Sequence, residues 1–136
     1  MDVVTPAVRS RMMAGIKGMN TQPEIAVRRA LHKAGFRFRL HRGDLPGKPD
    51  LIFPRYRTVV FVHGCFWHSH PRCRFASIPA TNAEWWREKF RKNRLRDRKQ
   101  QRALATLGWR VLVIWECEIS DPRKLQDVEK RLRQRS

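Results

Sequence analysis

Long apolar runs are missing from this sequence. None approaches the length needed to cross a bilayer, and the opening MDVVTPAVRSRMM lacks the apolar stretch of a signal peptide. The chain is therefore expected to be soluble and cytoplasmic, with no membrane partner. Carboxylates are scarce as well: 12 Asp and Glu stand against 30 Lys and Arg, a formal net charge of +18. Such an excess weakens self-association, so a monomer is expected, and it attracts a polyanion. Cysteine is sparse and odd in number: Cys65, Cys73 and Cys117. An odd count without a secretory signal excludes a disulfide framework and leaves free thiols or metal ligands. Internal repeats and linkers are absent too, and 136 residues suffice for one domain with one core.

What is present agrees with that outline. Hydrophobic residues make up 41%, enough for a folded globular chain. The polyanion that fits the charge best is nucleic acid, because each neutralised phosphate releases a counterion. An anionic membrane surface is the rival, but it calls for a basic amphipathic helix with lipid-facing aromatics. The basic final segment, PRKLQDVEKRLRQRS, has no aromatic residue.

Periodicity and end signals divide the chain into elements. Thr5-Pro6 starts a short helix through AVRSRMMAGI. Thr21 and Glu24 form a capping-box pattern for a helix through PEIAVRRALHKA that stops at Gly35. FRFRL alternates as a strand with one wet face, and DLIFP and TVVFVH, separated by RYR, predict a hairpin. Thr81 and Glu84 give a second capping box, before a helix from about Asn82 to Leu107 that Gly108 ends. WRVLVIWE reads as a strand buried on both faces, and a basic helix starts near Asp121-Pro122. The order α-α-β-β-β-α-β-α predicts an α/β domain, a mixed sheet flanked by helices.

Residues 64 to 81 have no periodicity and hold HGCFWHSHPRC. Thiolate and imidazole bind zinc tetrahedrally, and a structural site takes four protein ligands. Cys65, His70 and Cys73 lie within nine residues, and Cys117 completes a three-cysteine, one-histidine set. His68 in place of His70 is the alternative, as are free thiols in a solvated loop. A full ligand set makes the zinc structural, stapling the end of a strand to the loop. Phe66 and Trp67 would then be held rigidly, able to wedge between base steps. Their other fate is burial in the core. Trp85 and Trp86 pose the same choice, and Trp86 should share a helix face with Phe90.

The few carboxylates are informative. Asp50 follows LPGKP and opens a strand, a place for a divalent-metal ligand or for a turn residue capping its own backbone. Trp86, Phe90, Asn93, Asp97, Gln100, Leu104 and Leu107 form one helical stripe, apolar at its ends and polar at Asn93 and Asp97. That notch faces a site, or Asp97 pairs with nearby arginines. Histidine as a residue type suits general-base work near neutral pH, so His63 and His68 are candidates. Asp50, His63, His68 and Asp97 together are compatible with metal-assisted phosphodiester hydrolysis.

LPGKPDLIF, VVFVHGCFWHSHPRC, ATNAEWWREKFRKNRLRDR and LGWRVLVIWECE together resemble the very short patch repair (Vsr) DNA mismatch endonucleases, in the family's order and over nearly the whole chain. The resemblance implies a restriction-endonuclease-like core with a structural zinc, in a single domain over residues 1–136. Residues 1–20 would be a DNA-contacting segment and 121–136 a basic C-terminal helix. It implies an enzyme that nicks double-stranded DNA 5′ of the thymine in T:G mismatches left by 5-methylcytosine deamination. Asp50 matches the catalytic magnesium-binding aspartate, and Val62 sits where a backbone carbonyl reaches the same metal. His68 matches the general base, and His63, Asp97 and Glu24 match supporting positions. Cys65, His70, Cys73 and Cys117 match the zinc ligands, and Phe66, Trp67 and Trp86 match the wedge entering DNA. A mismatch-repair protein and a cytosine-5 DNA methyltransferase are the implied functional associates. The residues alone make Glu24 a helix cap; the resemblance makes it part of the site, and an accessible cap carboxylate could be both. Phe61-Val62-His63 stands where the wider nuclease core has an acidic-x-Lys pair. Without the resemblance, a zinc-stabilised nucleic-acid-binding module or a nuclease with another target accounts for the same residues.

Overall fold

A hairpin organises the sheet. The computed structural model describes residues 21–68, 70–73 and 76–134; the helix expected over AVRSRMMAGI and the rest of the 1–20 segment lie outside the described residues. Strand β1 is Arg39–Leu40, β2 is Leu51–Phe53, β3 is Thr58–His63 and β4 is Arg110–Trp115. The predicted DLIFP–TVVFVH hairpin forms as β2 and β3, antiparallel, with Leu51 opposite Val60 and Phe53 opposite Thr58. A single 3-10 turn over Pro54–Tyr56 reverses the chain, and Arg57 closes it at φ 49°. β1 adds antiparallel to β2, and β4 adds parallel to β3, in the order β1-β2-β3-β4. A parallel neighbour needs a long crossover, which the helix Ala83–Thr106 supplies.

Three helices occur among the described residues: α1, Gln22–Lys33; α2, Ala83–Thr106; and α3, Pro122–Arg133. None is long and apolar enough to cross a membrane. The period-2 alternation of β2 and β3 sends side chains to two cores. Leu51, Phe53 and Val60 join Val27 and Leu31 of α1 and Val128 and Leu132 of α3 on one face. Ile52, Val59 and Phe61 join Leu104 of α2 and Trp109 on the other. The result is a helix–sheet–helix sandwich, the mixed α/β arrangement expected from the element order.

Glycine ends both preceding helices as anticipated. Gly35 (φ 99°) and Gly108 (φ 89°) take the left-handed conformation. Phe36 N–H then returns to Leu31 O, and Trp109 N–H to Leu104 O, each at 3.0 Å. These are paired Schellman closures, and each drops an aromatic ring beside the residue that accepts the bond. At the other end of α1, Thr21 Oγ1 accepts from Glu24 N–H at 3.4 Å. Thr21→Ala should lower stability by about 1 kcal/mol, read as a fall in melting temperature of a few degrees with unchanged far-UV dichroism.

Four expectations need correction. FRFRL contributes only Arg39–Leu40 to the sheet, because Phe36 turns into the core against Phe53 and Tyr56 instead. β4 is not buried on both faces: Leu112 and Ile114 are buried, whereas Val111 and Val113 are only half-buried. As the last strand of the sheet it has a neighbour on one side only. Thr81 and Glu84 form no capping box, since α2 begins after Asn82, which sits at φ 58° without a side-chain cap. Asn tolerates that left-handed turn, and the start slips one residue past Thr81. Leu107 is 53% exposed; the stripe ends at Leu104, where the Schellman turn brings in Trp109.

Candidate active site and metal centre

One edge of the sheet collects the chemistry. β2 begins where its antiparallel partner β3 ends, and β4, parallel to β3, ends there too. Asp50, Val62, His63 and Cys117 are thus brought together from three strands, with the 64–81 loop beside them.

Asp50 does not cap its own turn. Its Oδ2 accepts the Val62 N–H at 2.6 Å. Glu24, His41 and Asp50 each offer a ligand atom, all within 4.8 Å of one another. Glu24 is 1% exposed, so it is not the accessible cap carboxylate that the sequence suggested. Its Oε2 pairs with Arg28 Nη2 and lies 3.3 Å from His41 Nε2. Burial, then the hydrogen bond with Glu24, pushes the Asp50 carboxyl up to about 8. Two acids held this close resist joint ionisation unless a cation is added. Hard oxygen donors in such a pair fit magnesium or another divalent ion.

A second group is His63, His68 and Asp97, again with ligand atoms within 4.8 Å. His68 Nδ1 lies 2.6 Å from Asp97 Oδ2. With Nδ1 carrying the proton, Asp97 accepts it and Nε2 is left as a base. Asp97 is therefore a partner of His68 first, with Arg96 only at 4.0 Å. His63 stacks face to face on His68, centroids 3.8 Å apart. Burial drives the His63 ring down to about 3, so it is a neutral imidazole at physiological pH. The polar notch on α2 does face the site: Asn93 Nδ2 donates to Trp67 O at 3.0 Å, and Asp97 holds His68.

Cys65, His70, Cys73 and Cys117 form the third group. His70 Nδ1 lies 3.7 Å from Cys65 Sγ and 3.4 Å from Cys117 Sγ. Ligand edges of a tetrahedral zinc with sulfur and nitrogen donors are about 3.6 Å, so this donor set fits zinc. His70, not His68, is the imidazole in the cluster. Burial pushes the Cys65 thiol up to about 12 and raises Cys117 as well. A cation is what makes such thiols ligating thiolates.

Phe66, Trp67 and Trp86 are neither core nor free. All three are half-buried, in a ring cluster with centroid separations of 4.9 to 5.8 Å. Phe90, buried, anchors it 5.1 Å from Phe66 and 5.6 Å from Trp86, confirming the shared helix face. Trp85 is 58% exposed and touches the cluster through Trp86 alone.

Two ring-bearing residues escaped the sequence reading. Trp115 stacks on His70 at 4.1 Å and edges His63 at 5.2 Å, so one ring spans the thiolate cluster and the histidine pair. Its place at the end of β4, two residues before Cys117, was the available signal. His41 was the other. The pairing of Leu40 with Leu51 sets it opposite Asp50, which no local pattern reveals.

A family model described as DNA mismatch endonuclease Vsr matches residues 1–74. The type II nicking enzyme V.XorIIP of Xanthomonas oryzae pv. oryzae is 50% identical over 132 residues, covering 97% of this chain and 94% of that protein. The DNA mismatch endonuclease Vsr of Escherichia coli K12 is 44% identical over 126 residues, covering 93% and 80%. The type II nicking enzyme V.NmeAIP of Neisseria meningitidis is 42% identical over 120 residues, covering 88% and 85%.

Proposed function

The chain belongs to the Vsr DNA mismatch endonuclease family and is a DNA endonuclease; from that premise we propose that it nicks double-stranded DNA 5′ of the thymine in a T:G mismatch, opening very short patch repair of deaminated 5-methylcytosine. The observation that carries this reading is the shared sheet edge. A His68–Asp97 dyad, the Asp50–Glu24 acid pair and a half-exposed ring platform all adjoin it.

Phe66, Trp67 and Trp86 unstack the step beside the mismatch. Unstacking costs a few kcal/mol per step and least at a mispaired base, so deformability contributes to selection. Arginines and lysines of this basic chain clamp phosphates and set register. His68 takes the proton from the attacking water at Nε2 while Asp97 holds the imidazolium that forms. His63, neutral, buttresses the His68 ring by stacking. Asp50, with Glu24 beside it and the Val62 carbonyl near the strand end, would hold a magnesium ion, which would supply Lewis-acid polarisation of the scissile phosphate. The products carry a 5′-phosphate and a 3′-hydroxyl. Cys65, His70, Cys73 and Cys117 hold a structural zinc that stiffens the loop bearing the rings. The sandwich is read as a restriction-endonuclease-like core in a single domain, with residues 1–20 contacting DNA and the protein acting as a monomer. A mismatch-repair protein as recruiter and a functional link to a cytosine-5 DNA methyltransferase complete the reading.

A panel of duplexes carrying every mismatch in several flanking contexts, with magnesium, tests the target. Nicking confined to the thymine strand of T:G is expected, and uniform cutting of all mismatches or of matched duplex would defeat the specificity. In the same panel, Trp67→Ala should reduce the mismatched-to-matched cleavage ratio roughly tenfold, in line with the loss of one base–aromatic stack. An equal fall on both duplexes would make Trp67 a packing residue.

A further inference from the structure

The acid pair is served by a cation that the reaction above does not use. Arg28 lies one turn beyond Glu24 on α1, and its Nη2 pairs with the Glu24 carboxylate while standing 3.0 Å from His41 Nε2. His41 holds that position from a left-handed backbone, φ 52°, so a non-glycine residue is kept in a sparsely populated conformation next to the guanidinium. Arg28 is 18% exposed at its side chain, against 1% for Glu24; it is the charged group of the pair that reaches solvent. Its charge also acts on Asp50, opposing the upward pull of burial.

Arg28 is the arginine set against the acid pair, whereas Arg96 stands at Asp97. β3 passes Asp50 with Phe61, Val62 and His63 and offers no lysine there. His63 is buried, stacked face to face on His68. Yet hydrolysis adds charge at phosphorus. The water oxygen forms a bond to phosphorus, its proton goes to His68, and the P–O3′ bond breaks with its electron pair leaving on O3′, which takes a proton from solvent water to become the hydroxyl. The equatorial oxygens carry extra negative charge meanwhile, and a pre-positioned guanidinium is suited to bind them.

We propose that Arg28, aimed by His41 and Glu24, contacts a non-bridging oxygen of the scissile phosphate and stabilises the charge that develops there. The inference rests on the reading of Asp50 as the hydrolytic site. Arg28 is then a catalytic residue, and His41 a positioning residue acting through it. A plain i, i+4 ion pair would explain the Glu24 contact, but not a second, strained partner placed on the guanidinium from another element.

The test uses the full chain and a T:G duplex in single-turnover cleavage, with binding measured in calcium. Arg28→Gln retains an amide donor for Glu24 and removes the charge; Arg28→Lys restores a charge without the fork. Arg28→Gln should cleave at least thirtyfold more slowly at saturating duplex, with affinity changed less than threefold, and Arg28→Lys should recover a tenfold part of the loss. Phosphorothioate substitution at the scissile phosphate supplies a readout that a structural role would not move: the preference between the two diastereomers should shift at least threefold in both variants. If Arg28→Gln melts far below the wild type, the diastereomer preference of Arg28→Lys decides alone, and an unchanged preference overturns the proposal. Wild-type rates in folded Arg28→Gln, a loss confined to affinity, or Arg28→Lys no better than Arg28→Gln overturn it equally. Asp50→Ala separates the premises: if it cleaves normally the site reading itself fails, whereas if it is silent while Arg28→Gln cleaves normally only the role of Arg28 falls.

Discussion

Asp50→Ala should bind duplex DNA as the wild type does and cleave it at least about 10³-fold more slowly. Polarisation of a phosphoryl oxygen by a bound ion is worth several kcal/mol, and each 1.36 kcal/mol is about tenfold in rate. Asp50 is the carboxylate proposed to hold that ion. It stands at the start of β2, its Oδ2 is oriented by the Val62 N–H, and burial, then the hydrogen bond with Glu24, raises its pKa to about 8. A carboxyl raised above its unfolded value costs stability once pH exceeds the unfolded pKa, and the full cost applies above the folded one. The metal-free variant is therefore relieved of a burden at neutral pH while losing the acceptor for Val62. These effects oppose, so its melting temperature should move little. Nicking measured by denaturing electrophoresis, beside binding in calcium, checks the pair of claims; ordinary cleavage by Asp50→Ala would remove Asp50 from the mechanism.

Removal of the zinc proposed for the Cys65–His70–Cys73–Cys117 cluster should have the largest effect on the fold. Purified protein is expected to carry one zinc per chain by elemental analysis. Stripping it with a strong chelator, or changing the fully buried Cys65 to Ser, should lower the melting temperature by about 15 °C or more. Structural zinc contributes apparent binding free energies of about 10 kcal/mol or more, and a domain of this size shifts by a few degrees per kcal/mol. The described residues of the 64–81 segment meet the rest of the fold through the Phe66 and Trp67 rings against Trp86 and Phe90, and through Cys65, His70 and Cys73 gathered with Cys117 just past β4. The ring platform should go with it, because Phe66 and Trp67 are carried on the same loop. Tryptophan fluorescence would report this as a loss of response to mispaired duplex. Protein that holds no metal yet keeps its melting temperature would refute the staple.

The thiolate cluster and the ring cluster were legible in different degrees. Three of the four thiolate-cluster residues lie within nine positions, so spacing alone proposes them. Only the placement of Cys117 beside His70 selects His70 over His68. The Trp86–Phe90 contact follows from helical spacing, but whether the rings pack inside depends on the loop they meet. Asp97 looked like one more solvated acid among arginines, and its bond to His68 across 29 residues is a tertiary fact.

By itself the sequence determined the α/β order, the hairpin, the glycine helix stops, the polyanionic partner and the pool of candidate metal ligands. Periodicity, end signals, charge and donor chemistry are local or additive, and they need no partner to be read. The tertiary structure decided how that pool divides: Asp50 with Glu24 and His41, His68 with Asp97 and His63, and the cysteines with His70. It also decided that Glu24 is buried and that Arg28, His41 and Trp115 belong beside the chemistry. Those choices follow from strand register and from where α1 and α2 pack on the two faces of the sheet. Such alignments arise between segments far apart in the chain, and no window of residues contains them.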